Sequence, residues 1–413
     1  MSPNTNTTFL FIGDIGGTNC RLSIYSTLSN NNHNYDNDDN NNNKPLYTKE
    51  YANESYITDT TKTFENEIFI PFLKDFIDSS TISDVDIHDN NIKFISCFAV
   101  AGPIQYNSVT LTNLNNIVLN GTSIEQNTTT PYIKHIHKCK LINDFVGQGY
   151  GLLDLNYNNP NDVIELIPGS KDKVVMKLQQ KQQQYEYGPK VCVGAGTGLG
   201  ECFLTTSSLH PEEGYECYAS EGGHVDFVPR DDVQVKLLKY LKKKFNETNR
   251  VSVERVVSGK GLANIYEFLA MEFPDLISNH VHEDFGKEVA LQGKVVGVNA
   301  NKGDESCPLC IMAMNIMMSA YGAEVGNCAL KFIPTGGLYV SGGLTPKNIK
   351  FIQGEDSPFM KAYKDKGRLS PLLDNIPLFA VLAEDLGLRG ARVCALRVRI
   401  FLMLYYVDIC LIA

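Results

Sequence analysis

No stretch of this 413-residue chain fits the Walker pattern G-x-x-x-x-G-K-[ST], because Gly259-Lys260 is followed by Gly261. The dinucleotide fingerprint G-x-G-x-x-G is missing too. Counted from Gly194 its third glycine falls on Leu199, and counted from Gly196 it falls on Glu201. Both runs continue as apolar, strand-like sequence, whereas the fingerprint opens a helix. P-loop and dehydrogenase chemistry are therefore excluded. An excess of positive charge is absent: 37 Lys and Arg stand against 47 Asp and Glu, a net charge of −10. That argues against a general nucleic-acid or anionic-membrane surface. Long apolar runs are scarce. Residues 400–407 are strongly apolar, but Asp408 interrupts them, and a membrane span needs about 20 apolar residues. A terminal helix or strand packed on the core or on a partner subunit is expected there. The polar start Met1-Ser-Pro-Asn-Thr-Asn does not read as a secretory signal. Eleven cysteines lack framework spacing, and Cys307-Pro-Leu-Cys310 is the single C-x-x-C, with no second pair nearby. That excludes a four-cysteine zinc site and favours free, reduced thiols in a cytoplasmic protein.

What the chain does have is one signature repeated. Near the start it reads Phe9-Leu-Phe-Ile-Gly-Asp14-Ile-Gly16-Gly17-Thr18-Asn19-Cys-Arg21-Leu. Downstream it reads Val191-Cys-Val-Gly194-Ala-Gly196-Thr197-Gly198-Leu-Gly200-Glu-Cys-Phe-Leu. Each is an apolar run, a glycine turn with a threonine, and a second apolar run. Either turn alone reads equally as an ordinary β-hairpin. As a pair they suggest a duplicated α/β unit. Glycines let a ligand approach the backbone or permit positive φ, and successive amides in such a turn form a nest for anions. Two nests point to a polyphosphate and to phosphoryl transfer.

At this length two domains are expected, and 43% apolar with 20% charged residues suits a soluble globular protein. Residues 29–44 are an Asn/Asp run, read as a disordered insert between two strands. Residues 177–187 form a second polar, glutamine-rich insert. Phe64, Ile68, Phe72 and Phe76 give helical spacing over 63–79; residues 92–100 read as a continuous buried strand. A strand over 138–143 is followed by a helix over 144–153. Helices are expected at 232–245, 256–273 and 308–332, then a strand at 336–341 and a helix after Pro346. The alternation gives an α/β class.

Four polar clusters could carry chemistry. Asn143-Asp144 lies where a strand meets a helix, the end at which α/β sheets gather ligands; taken alone, Asp144 is equally an N-cap. Glu221-Gly222-Gly223-His224 is a turn that lets two side chains converge on vicinal hydroxyls, or simply a loop. Glu254 precedes a helix begun by Ser258 or Gly259, where it also reads as a capping residue. Gly342-Gly343 after a strand leaves room for a flat ring against the backbone, or is merely a strand–helix turn.

In order and wording these segments resemble the bacterial-type glucokinases of the hexokinase/actin/heat-shock ATPase superfamily. The matching stretches are GDIGGTNCRL from Gly13, LTN from Leu111, INDF from Ile142, GAGTGLG from Gly194, SEGGHVDF from Ser220, VERVVSGKGL from Val253, SGG from Ser341 and DKGR from Asp365. The resemblance implies a two-domain actin-like (ribonuclease H-like) α/β fold with a duplicated core and an interdomain cleft. A smaller domain would span 8–154 plus about 384–413 and carry the first phosphate loop; a larger one would span 155–383. It implies ATP and Mg²⁺, a homodimer, and phosphorylation of glucose on its 6-hydroxyl. Asp144 would be the general base. Asn143, Glu221, His224, Glu254 and Asn113 would line the sugar. Asp14, Gly16, Gly17, Thr18 and Asn19 would form the first phosphate loop, with Asp14 at the metal; Gly196, Thr197 and Gly198 would form the second. Gly342 and Gly343 would border the adenosine. Val146-Gly147 departs from the family pattern and is expected to blur helix packing there, and the apolar tail beyond Arg392 departs too. The zinc motif of the related ROK kinases is absent. A kinase for another hexose, or a sugar-sensing regulator without catalysis, remains the alternative.

Overall fold

The apolar run at the start of the chain meets two glycines and folds back on itself. In the computed structural model, β1 (Thr7–Ile15) and β2 (Asn19–Ser26) pair antiparallel, with Ile15 opposite Cys20. The structure describes residues 7–17, 19–27, 44–59, 61–79, 92–112, 114–169, 187–207, 214–303 and 307–412. Thr18, Asn113, and all of the 29–44 and 177–187 inserts except Lys44 and Tyr187 lie outside them. Two units are distinguished: residues 1–156 with 385–413, and residues 157–384.

In the first unit β3 (Tyr47–Ala52) extends the hairpin, and β4 (Ile92–Val100) runs parallel to β1. β5 (Ser108–Leu111) and β6 (Ile117–Asn120) form a separate two-stranded ribbon. β7 (Ile136–Asn143) then lies parallel to β4, giving the order β3-β2-β1-β4-β7. β1 and β4 sit inside the sheet with both faces covered, which is why they read as near-continuous apolar runs. Their inward rings meet a helical segment. Phe11 stacks on Phe72 at 5.3 Å and meets Phe98 edge-on at 5.0 Å. The helix expected over 63–79 is split. A wide π turn, Glu65–Phe69, leads into the α-helix Ile70–Asp78. Pro71 has no N–H to close a regular turn, so the helix enters through the wider one.

The second unit repeats the plan. β8 (Val163–Ile167) comes first; β9 (Lys190–Ala195), β10 (Leu199–Thr206) and β11 (Tyr215–Ser220) are the antiparallel trio. β12 (Gly337–Ser341) and β13 (Leu378–Val381) follow in parallel, and β8 closes the edge: β11-β10-β9-β12-β13-β8. In both sheets a glycine turn follows an inner strand and a parallel strand lies on that strand's other side. The duplicated core is therefore real, and each unit packs its own apolar cluster.

The helix Pro308–Phe332 is long and apolar enough to cross a membrane by length and composition, yet most of it is buried inside the second unit. At its start Cys307 and Cys310 form a disulfide, correcting the expectation of free thiols. Their Cα atoms lie 5.4 Å apart, within bridging reach. The helix expected from residue 256 begins at Gly259, because Ser258 Oγ accepts from Gly261 N–H at 2.8 Å and caps it. The helix expected after Pro346 instead contains it, as Leu344–Lys347. In a first turn a missing N–H costs nothing. The apolar tail continues the helix Leu386–Ile412, which is buried on the first unit through Ala395.

Candidate functional site

In the first unit the turn after β1 is closed by Gly16 N–H donating to Asn19 C=O at 2.9 Å. Gly16 C=O is held in turn by the Asn53 amide, which donates at 2.8 Å from a fully buried position. Gly17 borders this turn half-buried, and Asn19 is exposed. Asp14, two residues before it, sits opposite Arg21 on β2. A Cβ on Gly387 would lie 2.6 Å from Asp14 Oδ2. The Asp14 carboxylate thus meets the first turn of a 27-residue helix, the end whose dipole favours negative charge. Burial first, and the Asp144 charge second, push Asp14 up to about 6, while Arg21 opposes them.

At Asn143-Asp144 the capping role falls to Asn143 and not to Asp144. Asn143 is the N-cap of Asp144–Gly151: its Oδ1 accepts from Phe145 N–H at 2.9 Å and Val146 N–H at 3.3 Å. Its Nδ2 donates to Gly102 C=O at 3.2 Å. Asp144 is left as the first helical residue, half-buried, with Oδ1 accepting from Phe145 N–H at 3.0 Å. Gly147 does not blur the packing; the packing demands it. A Cβ there would meet Ala99 Cβ at 2.7 Å, and one on Gly390 would meet Gly147 C=O at 1.7 Å. Gly147 and Gly390 let the helix carrying Asp144 and the helix at Asp14 cross almost backbone to backbone. Arg392 locks the crossing, its guanidinium 2.6 Å from Asp154.

In the second unit the turn between β9 and β10 is closed by Gly196 N–H donating to Gly198 C=O at 2.8 Å. Thr197 is exposed at its tip. Gly196, Gly198 and Gly16 do not adopt positive φ; of the glycines expected at the site, Gly342 does, at 82°. At 198 glycine leaves room for a carboxylate instead. A Cβ there would lie 2.4 Å from Glu254 Oε2, which accepts from Leu199 N–H at 3.0 Å. At Gly196 a Cβ would meet nothing within 4 Å, so that position is open for a ligand. Gly342 packs on the same turn, since a Cβ would fall 2.4 Å from Ala195 C=O; Gly343 beside it is exposed. The buried Tyr321 hydroxyl joins the two segments. It accepts from Ala195 N–H at 3.2 Å and lies 2.9 Å from Val193 C=O and 3.2 Å from Ser341 C=O, either of which takes its proton.

Glu221 and His224 flank a 3₁₀ turn, Gly222–His224, with Glu221 Oε2 3.8 Å from His224 Nε2. Both side chains are exposed, whereas Gly222 and Gly223 are buried against β10. A Cβ on Gly223 would lie 1.9 Å from Leu199 C=O. Leu199 therefore underlies the loop by its carbonyl and meets Glu254 by its amide, bringing Glu221, His224, Glu254 and the second glycine turn into one neighbourhood. Arg250 donates to His224 C=O at 2.8 Å and steadies the loop from outside.

A divalent cation fits the first unit. Two like-charged carboxyls, Asp14 and Asp144, raise each other's cost, and Asp14 is desolvated; a cation relieves both. Three positioning residues gave no motif. Asn53 and Tyr321 are remote in sequence from the turns they hold. Glu201 is a lone acid in an apolar strand, the one mark that singles it out.

The family model for glucokinase matches residues 11–398. A glucokinase of Synechocystis sp. is 39% identical over 307 residues, covering 73% of this chain and 78% of the relative. A glucokinase of Nostoc sp. is 34% identical over 399 residues, 94% of this chain and 99% of the relative. Among solved structures, a glucokinase of Balamuthia mandrillaris in complex with glucose superimposes with a TM-score of 0.68 at 20% identity, covering 96% of this chain and 95% of that one. That likeness shows the fold, the duplicated actin-like α/β plan. With the family model spanning nearly the whole chain, this protein belongs to the glucokinase family.

Proposed function

We propose that this protein is an ATP-dependent glucokinase, transferring the γ-phosphate of ATP to the 6-hydroxyl of glucose. The observation that supports the reading is the end of β7: Asn143 caps the helix, which leaves the adjacent Asp144 carboxylate available to act as base. Asp144 takes the proton of the attacking hydroxyl as the new P–O bond forms and the bond to the leaving ADP oxygen breaks. Glu221, His224 and Glu254 bind sugar hydroxyls, and Asn143 and Asn113 are assigned to the sugar as well. The turn at Asp14, Gly16, Gly17, Thr18 and Asn19 and the turn at Gly196, Thr197 and Gly198 receive the phosphates through backbone amides. Gly342 and Gly343 border the adenosine. Asp14 would hold magnesium, which would supply positive charge against the phosphates. Residues 8–154 with 384–413 act as the smaller domain and 155–383 as the larger. The reading extends to a cytoplasmic homodimer at the first step of glycolysis.

The test is a coupled assay over glucose, mannose and N-acetylglucosamine with ATP, ADP and polyphosphate as donors. Glucose with ATP and Mg²⁺ is expected to give the highest kcat/KM. A higher value for another hexose would reassign the substrate. Glucose binding with no transfer from any donor would make the protein a sugar sensor.

A further inference from the structure

A buried carboxyl lies beneath the loop that carries Glu221 and His224. Glu201 in β10 is 4% exposed. A Cβ on Gly222 would lie 1.9 Å from its Oε2 and 3.0 Å from its Oε1. The whole carboxyl face is thus pressed against Gly222 Cα. Leu199, two residues back on the same strand, supports Gly223 with its backbone carbonyl. The two buried glycines of the loop stand on alternate residues of one strand, and one support is an acid.

That acid is short of polar partners. Among the described residues Glu201 Oε1 has no hydrogen-bond partner. Oε2 lies 3.5 Å from the Cys328 thiol on the helix Pro308–Phe332. The same helix presents Glu324, itself buried, whose Oε1 is 3.5 Å from Lys331 Nζ and whose Oε2 accepts from Asn327 at 3.0 Å. Lys366 reaches the same helix, donating to Oδ1 of Asn327, the residue that bonds Glu324, at 2.8 Å. The loop above brings Glu221 and His224, both exposed. Both nearby ammonium groups serve Glu324: Lys331 lies 3.5 Å from it and Lys366 attracts it as well, whereas Glu201 has no ion pair among the described residues, so a charge on Glu201 is the one left uncompensated. A proton on Glu201 removes it. Burial, then the Glu324 charge, push Glu201 up to about 7. Burial and the two acids keep Cys328 a thiol.

We propose that Glu201 is a positioning residue for the sugar loop: its carboxyl is the floor on which Gly222 rests, and it acts on the sugar only through Glu221 and His224. The sugar part of this inference rests on the glucokinase reading; the loop part does not. The sign of its pH dependence follows. A carboxyl raised in the folded state binds more protons there than in the unfolded chain. Its contribution is therefore present at low pH and declines as pH rises towards and through about 7. Ionisation puts a second charge beside Glu324, directly under the loop.

The test uses full-length protein and two variants, Glu201→Gln and Glu201→Ala. Two quantities are read from pH 6 to 9: glucose KM against kcat, and hydrogen exchange at the amides of residues 222–225. In the wild type glucose KM should climb as pH passes about 7, with kcat steady. Glu201→Gln, neutral and of the same shape, should flatten that climb and keep wild-type exchange. Glu201→Ala should raise KM about tenfold at every pH, with kcat changed by less than about twofold, and should speed exchange of the loop. A folded Glu201→Ala with wild-type KM and exchange would overturn the proposal, and so would Gln failing to rescue what Ala loses. Stoichiometric metal in the purified protein, lost on mutating Cys328, would replace the proton by a cation and overturn it too, since Glu201, Glu324 and Cys328 offer ligand atoms within 4.8 Å of one another. If the wild type phosphorylates no hexose, the glucokinase reading fails while the exchange data still decide the role of Glu201.

Discussion

After β1 the glycine turn is held, among the described residues, by the buried Asn53 side chain, and it stands beside two carboxyls, Asp14 and Asp144. After β9 the corresponding turn has no carboxyl of its own strand beside it. It is held instead from helices, by the Tyr321 hydroxyl and by Glu254. The strand pattern around the two turns is the same, so topology alone does not assign their work. The difference lies in the surroundings. The first turn has two acid groups beside it, one of them desolvated. The second is a scaffold of backbone amides whose geometry is set by buried donors and acceptors. A duplicated fold has thus specialised by changing what grips each turn and leaving the turn itself in place.

The contrast breaks most sharply at Asp144. Asp144→Asn keeps the size and hydrogen-bonding shape of the side chain but cannot accept a proton. Asn143 supplies the cap, so the helix should be unharmed. If the first unit carries the proton chemistry, kcat should fall by about 10²- to 10⁴-fold. Glucose affinity, measured by equilibrium binding, should change little. A variant with more than a tenth of wild-type kcat would remove Asp144 from the role and leave the first turn with no chemical distinction.

The next comparison is internal to the second turn. Gly198→Val drives a side chain into Glu254 Oε2, 2.4 Å from where its Cβ must sit. Glu254 has to move and release Leu199 N–H, so ATP KM and glucose KM should rise together, each by about tenfold or more. Gly196→Val meets no protein atom within 4 Å of its Cβ. The apoprotein should keep its thermal midpoint and glucose affinity, and only the KM for ATP should rise. Equal effects of the two variants on glucose would show that the turn is not divided into a ligand side and a scaffold side.

These pairs also mark what was legible in the chain. Both glycine turns, the continuous strand Ile92–Val100 and the buried helix Pro308–Phe332 could be read from apolar period and glycine placement, because local chemistry dictates them. The reason for each glycine was not legible. Positive φ is the common cause, but at 198 and 222 the cause is a carboxylate delivered by a residue elsewhere in the chain. Gly147 looked like a departure and proved to be a helix crossing, since its contacts lie at Ala99 and Gly387, far off in sequence. The split helix at Pro71 was misread because apolar spacing does not register a missing N–H. Asn53, Glu201 and Tyr321 share one property: each acts through tertiary contact on a motif it does not belong to. Glu201 alone leaves a local mark, an acid within an apolar strand; Asn53 and Tyr321 leave none.

The smallest expected effects come from the two residues that grip the turns, and their ranking is the finest test of the comparison. Tyr321→Phe leaves Ala195 N–H without its acceptor and takes the hydroxyl donor from the Val193 and Ser341 carbonyls, all in a buried position. Stranding such groups costs about 1–3 kcal/mol, read as a fall of a few degrees in the midpoint of the second unit. The KM for ATP should rise several-fold, because the amides of the turn are no longer held in register. Asn53→Ala strands Gly16 C=O alone. It also deletes Asn53 Oδ1, which is buried without a partner and already costs free energy in the wild type. The two changes oppose each other, so Asn53→Ala should lose less stability than Tyr321→Phe, and its rise in KM for ATP should be smaller. If Asn53→Ala proved the more damaging, its Oδ1 would have to be satisfied by the bound ligand. The first turn would then grip its phosphate through a side chain, and the distinction between an acid turn and an amide scaffold would have to be redrawn.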